Sequence, residues 1–434
     1  MRVSTSTVYD QGVTNILRGQ SRLIEIQEQI ATGRRVLTPS DDPVASAKAV
    51  EVSQAKAVNV QYGRNSESAA NALLLQEEAL GRYTRLLQDV KTLTVTAGNG
   101  AFTSRELENI ASELRGRYEE LLGIANTTDS DGVYLFSGFQ GGTVPFSEDS
   151  PGVVTYNGDQ GQRLVQIGAS RQVPVSSAGA DVFQRIPSGN GTFVTAAADT
   201  NTGTGVVSPG VVRDPAAWSA AGNPGNFEVR FDVDSASVPA LTTYDIVDTT
   251  TGVSLLTGAA AAATGPFLRT YQSGGSISLV RQATDTNPVA FDFGVELSVS
   301  GQPADGDRFT VAPSTSRDVF TTVFELVRSL ELAGPGATAN TRLANALNTA
   351  QSSIDNALGV NLTVLASVGT YSKEVELTRE VTADLSVQFD RTLSQLQDLD
   401  YASAITALSY QQVSLDAAQK SFMKVQELSL FNFL

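Results

Sequence analysis

Four carboxylates carry the most chemical potential in this chain of 434 residues: Asp292, Glu296, Asp305 and Asp307, set among strand- and turn-forming residues. Two carboxyl groups across one cleft can act as acid and base on a glycosidic bond, or hold a sugar. Each of the four is more simply a turn former or a solvated side chain, and that reading is adopted. A shared cleft flanked by exposed aromatics would reverse it. A further acidic run, Asp129-Ser130-Asp131-Gly132, has the start of a calcium loop but lacks the third ligand position and the later Glu, so it reads as a turn.

The absences say more. The sequence has no Cys and no His. Without Cys there is no thiolate nucleophile, no disulfide framework and no Cys-ligated zinc. Without His, the usual Ser-His-Asp arrangement and imidazole metal sites are excluded. Asp/Glu, Lys, Tyr and Ser/Thr remain. The expectation is a protein that is not an enzyme and holds no cofactor or metal. A net charge of −16 argues against nucleic acid or an anionic membrane as partner. No run of eighteen apolar residues is present to span a bilayer. The opening MRVSTSTVYDQG has no apolar stretch of the kind a cleaved signal needs.

The elements that would position any site are helical at both ends. Tyr401, Leu408, Leu415 and Phe422 recur every seventh residue, with Ala404, Ala418 and Val425 three residues after members of that row. This is the seam of a helix that packs lengthwise on other helices. It runs into Leu428, Leu430, Phe431, Phe433 and Leu434, an apolar finish that something must cover. Tyr9, Ile16, Leu23, Ile30 and Leu37 form a matching row, widened by Val13, Leu17, Ile24 and Ile26. The two ends are expected to pair. Four or five large apolar side chains contribute roughly 6–15 kcal/mol when buried. Ordering about thirty residues costs roughly 30–60 kcal/mol of backbone entropy. Helices of this kind are marginal alone. They are expected to be loose in a monomer and to order against neighbours, through Ile16, Leu23, Ile30, Leu408, Leu415, Phe422, Val425, Leu428 and Phe431.

Between the ends, Gly33 suits the C′ position of the first helix. The joint Pro39-Ser40-Asp41-Asp42-Pro43 follows, with Pro39 breaking the helix, Asp42 as N-cap and Pro43 at the first helical position. Helix is expected from Val44 to about Thr96, where Leu73, Leu80 and Leu87 repeat, and again through Leu107, Leu114 and Leu121. Between Gly138 and Arg317 lie 12 of the 15 prolines and 23 of the 37 glycines. Strand-like runs alternate with turns there, at 153–156, 164–167, 227–233, 244–248, 277–280, 291–299 and 309–311. A sandwich or a partly open barrel fits. The Gly/Ala/Thr/Asn-rich span 188–226 is either a long excursion or a divider of the β region. The run Ala259–Ala263 receives no function. Helix resumes with Ser316 or Asp318 as cap, is interrupted by Gly334-Pro335-Gly336, and continues to the end.

The fold class that follows is α+β and multidomain: a long coiled-coil or helical bundle built from both termini, with an inserted β-rich domain. The expected domains are 1–40 plus 400–434, terminal helices ordered by assembly; 41–137 plus 318–399, a helical core; and 138–317, an outer β-rich domain of one or two parts.

These features together resemble the flagellin superfamily of bacteria, and within it the branch at the hook–filament junction. Leu37-Thr38-Pro39-Ser40-Asp41-Asp42-Pro43 is similar to that branch's proline-flanked acidic joint, where filament flagellins carry a lysine-and-acid form. Gly132-Val133-Tyr134-Leu135-Phe136-Ser137-Gly138 is similar to its boundary between helical core and β domain. The stretches Asp400-Tyr401-Ala402, Ser414 to Phe422 and Leu428 to Leu434 resemble its carboxyl tail, and Gln302 to Phe309 a hairpin-like segment late in its outer domain. The resemblance implies a structural protein outside the cell, exported unfolded through the flagellar type III apparatus without a cleaved signal. It implies a ring-like tier of identical copies between hook-associated protein 1 and the flagellin filament, terminal helices inside and β domain outside. It also implies a flagellar export chaperone on the C-terminal helix. Two alternatives stand beside this: a filament flagellin, opposed by the joint and the tail, and a stalked carbohydrate-binding module.

Overall fold

The computed structural model describes residues 5–430, side chains excepted at positions 5, 6, 8 and 426–430. Three helices come first: α1 (Thr5–Thr32), α2 (Pro43–Ala97) and α3 (Ser104–Ala125). The β region follows, with β1 (Phe146–Ser150), β2 (Val153–Tyr156), β3 (Leu164–Gly168), β4 (Arg171–Pro174), a π-helical turn at Ala180–Gln184, β5 (Ile186–Pro187), β6 (Phe193–Ala197), β7 (Val206–Val207) and β8 (Val211–Val212). After the short α4 (Pro215–Trp218) come β9 (Phe227–Asp234), β10 (Leu241–Asp248), β11 (Val253–Ser254), β12 (Arg269–Thr270), β13 (Ser276–Val280), β14 (Asp292–Ser300), β15 (Arg308–Pro313) and β16 (Ser316–Arg317). The chain closes with α5 (Val319–Glu331), α6 (Ala337–Gln397) and α7 (Tyr401–Leu430). All seven strand-like runs read from the sequence are strands. This is the α+β architecture expected, with a β-rich region between two helical stretches of chain.

Contacts divide the chain into two compact units. The first comprises Met1–Ser68, Gln166–Arg171 and Val375–Leu434. In it α1 and α7 lie antiparallel. The parts of α2 and α6 in this unit bury small and polar residues, Ala45, Ala49, Asn59 and Thr382 among them. Asn59 Nδ2 donates to the Thr382 carbonyl at 2.8 Å, and Lys56 pairs with Asp390. Large apolar residues here remain largely outside, including Leu377, Val381 and Leu385. Among the described residues the α6 segment in this unit buries Val375 and Thr382 alone, and leaves Leu385 at its surface.

The second unit comprises Ala69–Val165 and Gln172–Glu374. Its helical layer buries Leu73, Leu80, Tyr83, Leu87 and Val90 completely. Thr103 and Glu106 form a capping box that starts α3, and Asp318 caps α5 by accepting from the Thr321 amide at 2.6 Å. An aromatic cluster of edge-on and tilted rings joins these helices to the first strands: Phe146 and Phe183 ring centroids lie 5.4 Å apart, and Phe146 and Phe320 5.3 Å. Beyond it stands a sandwich. One sheet has the order β11-β10-β9-β15-β6, with β12 also on β10; the other has β13-β14-β7, with β8 on β14. Phe227, Val229 and Phe231 of the first sheet meet Val295, Leu297 and Val299 of the second in one core. The span 188–226 is therefore neither an excursion nor a divider, since β6 completes one sheet while β7 and β8 complete the other. Inside the sandwich, Arg269 and Asp285 form a two-pronged ion pair, Nε–Oδ1 3.0 Å and Nη2–Oδ2 2.6 Å. Neither side chain is more than 2% exposed.

Candidate assembly interface

The inner faces of α1 and α7 follow from a seven-residue period. On α1, Ile16, Leu23, Ile26 and Ile30 are half-buried, and on α7 Leu408, Leu415, Ala418 and Phe422 are half-buried with Ala404 buried. These residues face one another along the pair. Tyr9 and Phe422 ring centroids lie 5.3 Å apart, and Gln411 Nε2 donates to the Gly19 carbonyl at 3.2 Å. Of the residues named from sequence, Ile16, Leu23, Ile30, Leu408, Leu415 and Phe422 are brought to this seam. Val425 stays 51% exposed. Phe431 lies outside the described residues, as does the side chain of Leu428.

Three further residues complete the seam that hydrophobic periodicity does not reveal. Gly12 packs under Phe422, Gly19 under Leu415 and Gly33 beside the Tyr401 hydroxyl. Twelve and nineteen fall on one heptad row of α1, and so do their partners on α7, while Gly33, with φ 69°, lies just past the end of α1. A glycine row with large side chains opposite lets the backbones approach closely.

The joint Pro39, Ser40, Asp41, Asp42 and Pro43 is held by its carboxylates. Asp41 Oδ2 accepts from the amides of Thr38 at 2.7 Å and Leu37 at 3.0 Å, and Asp41 Oδ1 from the Thr38 hydroxyl at 2.9 Å. Asp42 Oδ1 accepts from the Ala45 amide at 2.9 Å as the N-cap of α2, and Oδ2 pairs with Arg35 Nη1 at 3.3 Å. Donation from the Thr38 backbone and hydroxyl holds the Asp41 carboxyl below the ordinary range, and donation from the Ala45 amide, then Arg35, does the same for Asp42. Facing the joint is the break between α6 and α7. The Leu399 amide donates to the Gly33 carbonyl at 2.9 Å, the Arg35 amide to Gln397 O at 2.7 Å, and Arg35 Nη2 to Leu396 O at 2.9 Å. Arg35 thus ties both helix junctions together. Asp400 caps α7, held in its charged form by the Ser403 hydroxyl first and then by backbone amides.

Of the carboxylates singled out for chemistry, Asp292, Glu296 and Asp307 are committed to structure, while Asp305 is exposed in the turn before β15. Asp307 accepts from the amides of Thr202, Gly203 and Ala304. Asp292 accepts from the Gly294 amide, Glu296 pairs with Arg213, and Asp129 accepts from the amides of Asp131 and Val133. Each closes a turn or a strand contact. Among the described residues no group of three acidic side chains is placed to hold a metal.

The bacterial flagellin N-terminal helical region matches residues 3–141, from α1 through α3 to the boundary segment. Flagellar hook-associated protein 3 of Salmonella typhimurium is 34% identical over 188 residues, which is 43% of this chain and 58% of that relative. A crystal structure of flagellar hook-associated protein 3 from Legionella pneumophila covers 80% of this chain and 98% of its own, with TM-score 0.68 and 28% identity. A crystal structure of Xanthomonas campestris FlgL reaches 30% identity over 79% of this chain and 99% of its own, with TM-score 0.61.

The chain belongs to the flagellar hook-associated protein 3 family.

The chain aligns with only 58% of the length of the Salmonella relative. Within the family frame, the seam and joint described above fall in the flagellin-type N-terminal region and in the helix that pairs with it. No described helix is long and apolar enough to cross a membrane.

Proposed function

We propose that this chain is a structural, non-enzymatic component of the bacterial flagellum that joins the hook to the filament. The single observation that carries the reading is the incomplete burial of the α1–α7 pair. With the seam closed, Leu17 remains 58% exposed, Ile24 54%, Tyr410 75% and Val413 70%. Large apolar side chains left exposed along both helices of a seam are covered in use, and neighbouring helices of the same type cover them best. The partners are other copies of the chain in a ring-like tier, hook-associated protein 1 on one side, flagellin on the other, and an export chaperone that shields α7 beforehand. The location is extracellular, at the hook–filament junction. Residues 1–40 with 400–434 order on assembly, 41–137 with 318–399 form the helical core, and 138–317 the outer domain.

The test is complementation of a strain of the source bacterium that lacks its own gene for this protein, using Leu415→Asp and Phe422→Asp. A charge placed in that apolar seam is costly unless it is paired. Secretion of the variants with loss of filaments is expected. Full motility with either variant would sink the reading.

A further inference from the structure

A cavity of about 530 Å³ opens in the second unit between α5, the N-terminal half of α6 and the edge strand β6. That volume lies within the range of specific binding pockets. Its floor is Ala196, Ala197 and Ala198, and its helical walls include Ala346 and Ala350. No aromatic side chain lines it, so a sugar or a flat ring has nothing to stack on. Of its charged side chains, Arg317 pairs with Glu325, Arg342 donates to the Asp199 carbonyl at 2.9 Å, and Asp199 stands at the rim. What the wall does offer is unused hydrogen-bonding capacity. Arg317 Nε and the hydroxyl of Ser353, a residue 97% buried, have no partner.

The backbone adds to this. β6 ends the sheet and pairs only with β15. The Ala198 amide donates to Arg308 O at 3.0 Å, so alternation along an antiparallel ladder turns the amide and carbonyl of Thr195 and Ala197 away from β15. No backbone partner is found for Ala197 on that side among the described residues. An open strand edge beside a cavity floored and walled by alanines fits one occupant: an extended peptide with small side chains.

The opposite edge of the same sheet carries such a peptide. Between β11 and β12, both on β10, runs Gly258-Ala259-Ala260-Ala261-Ala262-Ala263-Thr264-Gly265. Ala259 and Ala261 are tied back to β11 and its flank, whereas Ala262, Ala263 and Thr264 are exposed and make no backbone hydrogen bond among the described residues.

We propose that the loop at Ala262–Thr264 of one copy enters the cavity beside β6 of the next copy and pairs with the open edge at Ala197. Donor and acceptor lie at opposite edges of one sheet, so the contact is head-to-tail, the type that closes into a ring when the rotation permits. The inference rests on the ring-like tier proposed above in taking copies to stand side by side, and it assigns the outer domain a contact between them.

The chain has no cysteine, so engineered thiols are the only ones present. Ala262→Cys combined with Ala346→Cys places one thiol on the loop and one on the cavity wall, and a short bis-maleimide can join them between copies. Val238→Cys with Ala346→Cys is the control, since Val238 is 98% exposed in a different loop. The full-length variants are treated on flagella in cells and, separately, as concentrated purified protein. Covalent oligomers with the first pair and none with the control support the proposal. Filaments that form normally, with no cross-link in either preparation, overturn it while the junction reading stands. Cross-linked purified protein together with a wild-type chain that cannot restore filaments supports the head-to-tail contact and overturns the junction reading.

Discussion

The ring of Phe422 on α7 rests on the bare backbone of Gly12 on α1: a methyl group at that glycine would come within 2.7 Å of Cδ2. One heptad along, a methyl at Gly19 would meet Leu415 Cδ1 at 3.1 Å. The closest approach of the two helices is thus set by side chains that are missing from α1 as much as by those present on α7.

Substituting Gly12 separates two effects of similar size. Alanine gains about 1 kcal/mol of helix propensity over glycine, while overpacking costs about 1–3 kcal/mol. Gly12→Ala is therefore expected to be nearly neutral, because one ring can shift. Gly12→Leu fills the space completely and is expected to destabilise the pair by about 1–3 kcal/mol. The urea midpoint of the helical signal, compared between the two variants, checks this. Equal midpoints for Gly12→Leu and the parent would show that the glycine row does not set the spacing.

Limited proteolysis of the dilute chain reads how far the pair is stable without neighbours. Rapid cleavage within 1–40 and 400–434, leaving a resistant fragment near 45–395, is expected from the exposure of Leu17, Ile24, Tyr410 and Val413. Ends that resist as long as the β sandwich does would mean that the seam is satisfied within one copy.

Acid should loosen the joint before it unfolds the rest. The carboxyls of Asp41 and Asp42 titrate below the ordinary value of 3.8 in the folded chain. A lowered folded pKa means a contribution that is complete above that value and is lost as pH falls through the folded pKa. Protease sensitivity at residues 33–43 is expected to rise as pH drops below about 4. Asp41→Asn with Asp42→Asn should make that region sensitive already at pH 7, with a flat profile. An unchanged acid profile in the double variant would remove these two groups as its cause.

The Arg269–Asp285 pair is a sharper liability. Arg269→Met leaves a carboxylate with a fully buried side chain unpaired, which costs about 3–5 kcal/mol. Replacing both, as Arg269→Met with Asp285→Leu, should recover most of that loss. Trp218, the one tryptophan, reports it directly: its ring lies 5.5 Å from Phe193 and 6.3 Å from Phe227 in the sandwich core. A single variant as stable as the double one would contradict the assigned cost.

Periodicity carried much of this fold in plain view. Leu73, Leu80 and Leu87 repeat at seven and are all buried, and Ile16, Leu23 and Phe422 sit on the seam their spacing announced. Pro39, Asp42 and Pro43 marked a joint by local stereochemistry. The glycine row was invisible to the same reading, because glycine adds nothing to a hydrophobic pattern and its role appears only opposite Phe422 and Leu415. β6 was missed for a related reason, since Phe193-Val194-Thr195-Ala196-Ala197 is short, alanine-ended and embedded in turn residues, and is a strand only because β15 pairs with it. The Arg269–Asp285 pair and the link from Arg35 to the Leu396 carbonyl, 361 residues away in the chain, depend on tertiary structure that no local spacing encodes.

The antiparallel clasp of α1 on α7 also fixes an order of events. α1 is made long before α7 and cannot find its mate until the chain between them has been made, and entropy of loop closure sets the two helices at a disadvantage against nearer competitors. Throughout that interval Ile16, Leu23 and Ile30 form an unclaimed sticky edge on a nascent polypeptide. Closing α1 on α7 is therefore a late, long-range step, whereas the sandwich between them closes over nearer contacts.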